Sequence, residues 1–266
     1  MKIGIVGLGL IGGSIFKALS KSGKHSFFLV TGNSETAEKT KKQGAVSGSD
    51  FNILKECDIV FVCSPVKNTV ETLDKLENFV KKDCIVCDTA SIKGFVCKKS
   101  RPYRFIPTHP MAGTENSGYD FSFGELFDGA KWVITPFEYK NTEIIEEIIK
   151  EAGAKPVITT FEKHDEAVAL ISHFPMLLSQ ILFKTAEDNE LAMKLASSGF
   201  RDTTRLAMTN TGLAEDMINF NGENIEKAIK KFTSETENFR SDYRKKIEII
   251  ADKRRKMYSM DGKNIL

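Results

Sequence analysis

The sequence has almost no surplus of either charge: 38 Lys and Arg residues stand against 36 Asp and Glu, a formal net charge of +2. A dedicated nucleic-acid binder carries a strong basic bias, so this balance argues against one. Long apolar runs are absent too. No stretch of about 18 consecutive apolar residues occurs, so no membrane span is expected. The opening Met1-Lys2-Ile3-Gly4-Ile5-Val6-Gly7 enters a strand pattern at once, without the segments of a secretion leader, and a cytoplasmic location is expected. Cysteine is scarce and odd in number, five in all, which speaks against a disulfide framework. Cys84-Ile-Val-Cys87 is formally a C-x-x-C, but it lacks two further ligands at metal spacing and lies in a strand-like run. Reduced strand cysteines and no metal are expected.

What is present fits a globular chain. Its 266 residues are 41% hydrophobic and 28% charged, enough for one large domain or two modest ones. Short apolar runs read as strands at Lys2–Val6, Ser26–Val30, Ile59–Cys63, Cys84–Asp88, Arg104–Pro107, Lys131–Thr135 and Pro156–Thr160. Helical patterns fall between several of them, at Ile11–Ser22, Glu35–Gln43 (closed by Gly44), Asn68–Val80 and Ile144–Ala152 (closed by Gly153). This alternation predicts a mainly parallel sheet covered on both faces, over residues 1–161. Residues 162–266 read as helical. From His164 to Phe183 apolar residues recur at three- and four-residue steps, and Pro175 is expected to kink that helix. From Asn224 to Tyr258 one apolar stripe runs along a charged helix of roughly 50 Å if unbroken. So long a stripe is not buried within a domain of about 100 residues, which points to a partner subunit and a homodimer. The alternative is two shorter helices folded back on each other. No repeat, low-complexity segment or long linker is evident.

Gly7-Leu8-Gly9-Leu10-Ile11-Gly12 is a G-x-G-x-x-G that follows the first strand and opens the first helix, the context that gives the pattern meaning. Gly7 allows the tight turn, Gly9 the approach of a pyrophosphate, and Gly12 close helix–strand packing. The helix N-terminus offers free N–H groups to phosphate. Ser64 and Pro65, directly after the Ile59–Cys63 run, are grouped with these cofactor residues. NAD sites usually place Asp or Glu at the end of the second strand, whereas this chain reads Val30-Thr31-Gly32-Asn33-Ser34. Thr31, Asn33 and Ser34 offer donors to a 2′-phosphate, so NADP is favoured. NAD stays open if Glu35 or a main-chain group serves the ribose.

The run Thr108-His109-Pro110-Met111-Ala112-Gly113-Thr114-Glu115-Asn116-Ser117-Gly118 resembles the signature of the prephenate dehydrogenase family. So do Asp88-Thr89-Ala90-Ser91-Ile92-Lys93, Leu126-Phe127-Asp128-Gly129-Ala130-Lys131, Ser172-His173-Phe174-Pro175 and Gly199-Phe200-Arg201-Asp202-Thr203-Thr204-Arg205. The resemblance runs in order along nearly the whole chain. It implies an α/β Rossmann dinucleotide-binding domain followed by an all-α dimerisation domain. It also implies oxidative decarboxylation of prephenate to 4-hydroxyphenylpyruvate, or of arogenate to tyrosine, in tyrosine biosynthesis. Hydride leaves C4 of a cyclohexadienol for the nicotinamide, the hydroxyl becomes a carbonyl, and carbon dioxide leaves C1. With the glycine loop at Gly7 and a basic tail ending at Leu266, a monofunctional form without mutase or regulatory domain is expected.

Site residues follow from the same motifs. His109 is expected to accept the hydroxyl proton, since a neutral imidazole suits that task near neutral pH. Ser91 is implied to bond the substrate hydroxyl or to orient His109; the plain alternative is a loop or capping serine. Arg205 matches the substrate-binding arginine, a guanidinium that grips a carboxylate through two parallel bonds. Arg201, four residues earlier, is expected on the same helix face. The resemblance implies that Glu115 shapes or gates the substrate site, a local cap or ion pair being the alternative, and Thr114 beside it joins the substrate-binding residues. His173 lies on an apolar helix face, as a core or a functional histidine. His25 and His164 read as surface residues. Two departures from the family pattern stand out: Met176 where a polar residue often follows the proline, and Ala214 where some members carry Trp. They leave prephenate and arogenate both open. Two further readings remain: another dehydrogenase of the β-hydroxyacid or imine-reductase type, and a dimeric dinucleotide sensor without turnover.

Overall fold

A computed structural model describes residues 1–114, 116–239 and 242–259. The chain begins β1 (Lys2–Val6), α1 (Leu10–Ser20), β2 (Ser26–Val30), α2 (Ser34–Lys41), β3 (Val46–Gly48), β4 (Ile59–Val62), α3 (Val66–Leu76), β5 (Ile85–Asp88) and β6 (Arg104–Phe105). These strands form one parallel sheet in the order β3-β2-β1-β4-β5-β6. That is the doubly wound order, whose direction reverses between β1 and β4 and opens a crevice at the strands' carboxyl ends. β4 and β5 are buried along their whole length, as expected of central parallel strands covered on both faces. One face packs Ile3, Ile5, Phe61 and Trp132; the other packs Val60, Val62, Val86 and Leu73. Gly44 and Gly153 both adopt the left-handed conformation (φ +87° and +89°) just beyond α2 and α4 (Glu143–Glu151), as the helix-closing role requires.

Sequence reading missed β3 and β7 (Thr108–Pro110). β7 pairs antiparallel with β8 (Lys131–Ile134), which runs parallel to β9 (Lys155–Ile158) in a separate three-stranded sheet. His109 thus sits within a strand, opposite Val133.

Beyond β9 the described chain is helical. α5 (Phe161–Val168) passes through a π turn (Ala169–His173) into α6 (Phe174–Ala186). The irregularity expected at Pro175 lies just before it, as a widened turn in which Phe174 N–H reaches back to the Ala169 carbonyl. Among the described residues this helix is long and apolar enough, by length and composition alone, to cross a bilayer. Counting uninterrupted apolar residues overlooks that. Yet the helix turns His164, Asp165 and His173 into the protein interior. Its apolar residues Ile171 and Ile181 face outward. α7 (Glu190–Leu195), α8 (Ser198–Thr203), α9 (Thr211–Phe239) and α10 (Tyr243–Ser259) follow among the described residues.

The chain divides into two compact units, Met1–Gly222 and the residues from Glu223 onward. α9 leaves helical geometry at Asn221, the residue before the end of the first unit. In the second unit the long unbroken helix expected from Asn224 does not form: α9 ends at Phe239, and Asp242 takes a left-handed φ of +52° before α10 begins. An L-residue in that conformation cannot continue a right-handed helix. The apolar stripe is therefore shared by two helices. Its members Tyr243, Ile247, Ile250 and Met257 are exposed in the single chain.

Candidate active site

The glycine loop sits at the reversal point of the sheet. Gly7 is left-handed (φ +92°), and a side chain there would lie 2.8 Å from the Cys63 carbonyl. A Cβ on Gly12 would come within 2.0 Å of the Gly7 carbonyl. At Gly9 a Cβ would meet nothing within 4 Å. The loop is thus tightly packed on two glycines and open on the third, which is what a backbone that receives a phosphate needs. α1 starts at Leu10 with no acidic residue in its first turn, so its first N–H groups face an uncontested anion position. Leu8 is buried, while Leu10 and Ile11 are half-buried, so this stretch presents mainly backbone.

At the end of β2, Asn33 caps α2: its Oδ1 accepts the Thr36 N–H at 2.9 Å. Thr31 Oγ1 accepts the Asn33 N–H at 3.2 Å. The Asn33 amide nitrogen and the Thr31 and Ser34 hydroxyls keep donor capacity. Glu35 is exposed and paired with Lys39 at 2.9 Å, and Lys39 also holds Asp120 at 2.7 Å. Ser64 follows β4 with its hydroxyl 3.4 Å from that of Thr69, and Pro65 precedes the first turn of α3.

A second cluster gathers around His109. Asp88, at the end of β5, is wholly buried and ion-paired with Lys93, which is equally buried. Lys93 Nζ donates to the Thr108 carbonyl at 2.6 Å, and Asp88 accepts from the Thr108 N–H at 3.2 Å. The residue before His109 is therefore clamped on both its backbone groups. From the other side comes α5. Asp165 accepts the main-chain N–H of Lys93 (2.8 Å) and of Gly94 (2.7 Å), and its Oδ1 lies 2.8 Å from His164 Nδ1. His164 Nε2 lies 2.9 Å from His109 Nδ1, with the two rings edge to face.

Hydrogen-bond capacity fixes the protons in this chain. A carboxylate only accepts, so His164 carries its hydrogen on Nδ1. Its Nε2 is then an acceptor, and His109 donates from Nδ1. His109 Nε2 is left with its lone pair. Burial holds the His109 ring well below the ordinary histidine range, and the charges of His164, Lys93 and His173 add to that depression. The arrangement can take up one proton at a defined nitrogen and stabilise the resulting imidazolium through His164 and Asp165.

His173, in the π turn, is fully buried. Burial pulls it down to about 4, so it too is neutral near pH 7. Its Nδ1 meets the side-chain amide of Asn221 at 3.1 Å. The Ser91 hydroxyl is buried without a hydrogen-bond partner among the described residues. The group bonded to His109 is His164, not Ser91.

Several expectations change here. His164 is 3% exposed and central to the cluster, not a surface residue. His25 is also covered, its side chain 6% exposed against Glu151 at 3.1 Å. Arg201 and Arg205 do not share a helix face. The Thr203 and Thr204 hydroxyls bond back to Gly199 and Phe200 at 2.7 Å each, α8 stops at Thr203, and Arg205 opens a 3-10 turn. Arg201 pairs with Asp202 at 3.0 Å; Arg205 is exposed. Thr114 is exposed and accepts the Asn116 N–H at 3.3 Å, while Glu115 lies outside the described residues. Met176 and Ala214 meet in one small buried cluster with Met217. The five cysteines are unpaired, and burial raises the Cys84 thiol to about 12. Among the described residues no group could hold a metal ion.

Asp88, Lys93, Asp165 and Asn221 went unnoticed as individual residues in the sequence. A carboxylate directly after a histidine at a helix start was the one available signal for Asp165.

Comparison with known proteins extends this picture. The family model for the prephenate dehydrogenase nucleotide-binding domain matches residues 15–158, and that for the prephenate dehydrogenase dimerization domain matches residues 160–251. A prephenate dehydrogenase of Lactococcus lactis subsp. cremoris is 30% identical over 246 residues, covering 87% of this chain and 68% of the relative. The crystal structure of Synechocystis arogenate dehydrogenase shares 32% identity with a TM-score of 0.79, covering 98% of each chain. Prephenate dehydrogenase from A. aeolicus, solved in complex with hydroxyphenyl propionate and NAD+, shares 26% identity with a TM-score of 0.81, covering 99% of this chain and 98% of that one. Through both domain matches and the full-length likeness, this chain belongs to the prephenate/arogenate dehydrogenase family of oxidoreductases.

Proposed function

We propose that this enzyme oxidatively decarboxylates prephenate or arogenate, with His109 as the proton acceptor. The observation that carries the reading is the Asp165–His164–His109 chain, which leaves a neutral, half-buried imidazole with a lone pair on Nε2. That nitrogen takes the substrate's hydroxyl proton. Asp165, through His164, steadies the imidazolium, and the nearby Lys93 charge keeps the proton from being held too tightly. Ser91, with its buried unpartnered hydroxyl, bonds the substrate hydroxyl. His173 and Thr114 contribute to the substrate site, as does Glu115. Arg205 and Arg201 supply positive charge to the substrate's carboxylates. Aromatisation of the ring drives decarboxylation, so the protein has mainly to position groups and move one proton.

The open backbone at Gly9 and the uncontested α1 terminus fit a nicotinamide dinucleotide held by Gly7, Leu8, Gly9, Leu10, Ile11, Gly12, Ser64 and Pro65. When bound, it supplies the hydride acceptor. Spare donors at Thr31, Asn33 and Ser34, with Glu35 engaged by Lys39, favour NADP over NAD. Thr31→Asp is expected to shift preference toward NAD by about tenfold, since a carboxylate repels a 2′-phosphate and binds ribose hydroxyls. Relative kcat/KM with the two cofactors measures it; an unchanged ratio would mean that another group reads the ribose.

Residues 1–161 then form the dinucleotide domain and residues 162–266 the substrate and dimerisation domain, the working form being a cytoplasmic homodimer. Exposed apolar residues on the Phe161–Ala186 helix and the Tyr243–Ser259 helix support a second copy as the partner. Formation of reduced nicotinamide with prephenate or arogenate and each cofactor tests the activity. No turnover with any pair would defeat the reading. Arg205→Ala is expected to raise KM for the acid about tenfold or more with a smaller change in kcat, the loss of a charge-assisted bond. An unchanged KM would remove Arg205 from the site.

A further inference from the structure

Asn221 stands where α9 departs from helical geometry (φ −129°, ψ 20°), and its side chain is buried. Its frame is anchored by its neighbours. Phe220 stacks on Phe95 with ring centres 4.0 Å apart, and Asp216 accepts the Lys67 N–H at 3.3 Å. The amide nitrogen of Asn221 faces two atoms: the main-chain carbonyl of Asp165 at 2.9 Å and His173 Nδ1 at 3.1 Å. The first contact fixes the orientation of the amide, because a carbonyl oxygen turned toward the Asp165 carbonyl would set two acceptors against each other. The NH2 group has two hydrogens, one for each partner. His173 Nδ1 must then present its lone pair, and the ring hydrogen resides on Nε2. That Nε2 is buried and has no hydrogen-bond partner among the described residues. A buried donor left unsatisfied costs about 1–3 kcal/mol, so its persistence points to an acceptor that arrives with a ligand.

We propose that Asn221 is a positioning residue: it holds His173 as the Nε2–H tautomer, so that this histidine meets the substrate as a hydrogen-bond donor. The inference rests on the dehydrogenase reading above and deepens it. The two neutral imidazoles then have opposite polarity toward the substrate. His109 offers a lone pair and takes the hydroxyl proton; His173 offers a hydrogen and takes an acceptor oxygen. Asp165 and His164 are the titratable groups whose charges bear on His173, the first favouring and the second opposing its protonation.

The test uses the whole protein with 15N-labelled histidine. Long-range proton–nitrogen spectra of the substrate-free enzyme read which ring nitrogen carries the hydrogen, and His173→Gln identifies the signal. The unaltered protein is expected to show Nε2–H at His173. Asn221→Asp is nearly isosteric but replaces the donor with an acceptor, so the hydrogen should move to Nδ1. KM for the substrate should then rise about tenfold, with kcat less affected and the His109 signals unmoved. In the His173→Gln background the glutamine amide supplies its own donor, so the same Asn221→Asp change should cost clearly less. An Nδ1–H tautomer in the unaltered protein would overturn the inference whatever the substrate proves to be. A tautomer that flips while KM stays constant, or an equal KM cost in both backgrounds, would overturn the positioning role. Absence of turnover with either acid would instead strike the dehydrogenase reading and leave the spectra interpretable.

Discussion

His109→Asn is expected to lower kcat by about 10²–10⁴-fold, the usual contribution of a positioned acid or base, while cofactor affinity stays near normal. The carboxamide keeps a donor for His164 Nε2 but presents no basic nitrogen to the substrate. The glycine loop that should hold the dinucleotide is a separate construction of backbone around Gly7, Gly9 and Gly12, and the substitution does not touch it. Steady-state kinetics and a cofactor titration measure the two effects separately; normal turnover would end the proton-acceptor role. The pH dependence carries its own signature. Because burial depresses His109, the base stays competent below the ordinary histidine value of 6.5, and the acid limb of kcat/KM should fall beneath that value. Stability follows the same sign. His109 and His173 are both harder to protonate folded than unfolded, so the unfolded chain gains protons first as pH drops. Their contribution is present above 6.5 and is lost as pH falls, for His173 through about 4.

The largest stability effect is expected at Lys93. Lys93→Met preserves length and apolar bulk at a site with no solvent exposure, but strands the buried Asp88 carboxylate. Breaking one half of a buried pair typically costs about 3–5 kcal/mol. Asp88 keeps the Ala90 N–H at 3.0 Å and the Thr108 N–H at 3.2 Å, which places the loss toward the lower end. Denaturant unfolding measures it, and a loss under about 1 kcal/mol would show that the pair is worth no more than a surface one. Adding Asp88→Asn should recover part of the loss by removing the unpaired charge. Activity should fall as well, because Lys93 also holds the Thr108 carbonyl and with it the strand that carries His109.

Much of this arrangement was legible from local pattern. The glycine loop declares itself through its place between a strand and a helix, and β1, β2, β4 and β5 through apolar runs that only a covered parallel sheet explains. β3 and β7 were not legible, since three residues carry no periodicity and both exist only by virtue of their neighbours. His164 was misread for a similar reason. It stands among Glu162, Lys163, Asp165 and Glu166, a run that looks like a solvated face. What draws it inward is the capture by Asp165 of two main-chain N–H groups more than seventy positions earlier. No spacing rule encodes a partner at that distance. Arg201 and Arg205 show the converse failure: the four-residue rule is sound within a helix, but the helix ends at Thr203, between them, and Arg205 opens a 3-10 turn.

The widened turn at Ala169–His173 settles how one helix can serve both imidazoles. Residues nine apart on a regular α-helix, at about 100° each, point to opposite sides. A π turn absorbs one residue without the matching advance, which reduces the angle between His164 and His173 to about 80°. In angular terms the segment is one residue over length, with the excess hidden in a bulge. A sequence with eight steps between these rings and an unbroken helix would aim the same pair the same way, so spacing between histidines is the wrong quantity to match in this part of the chain.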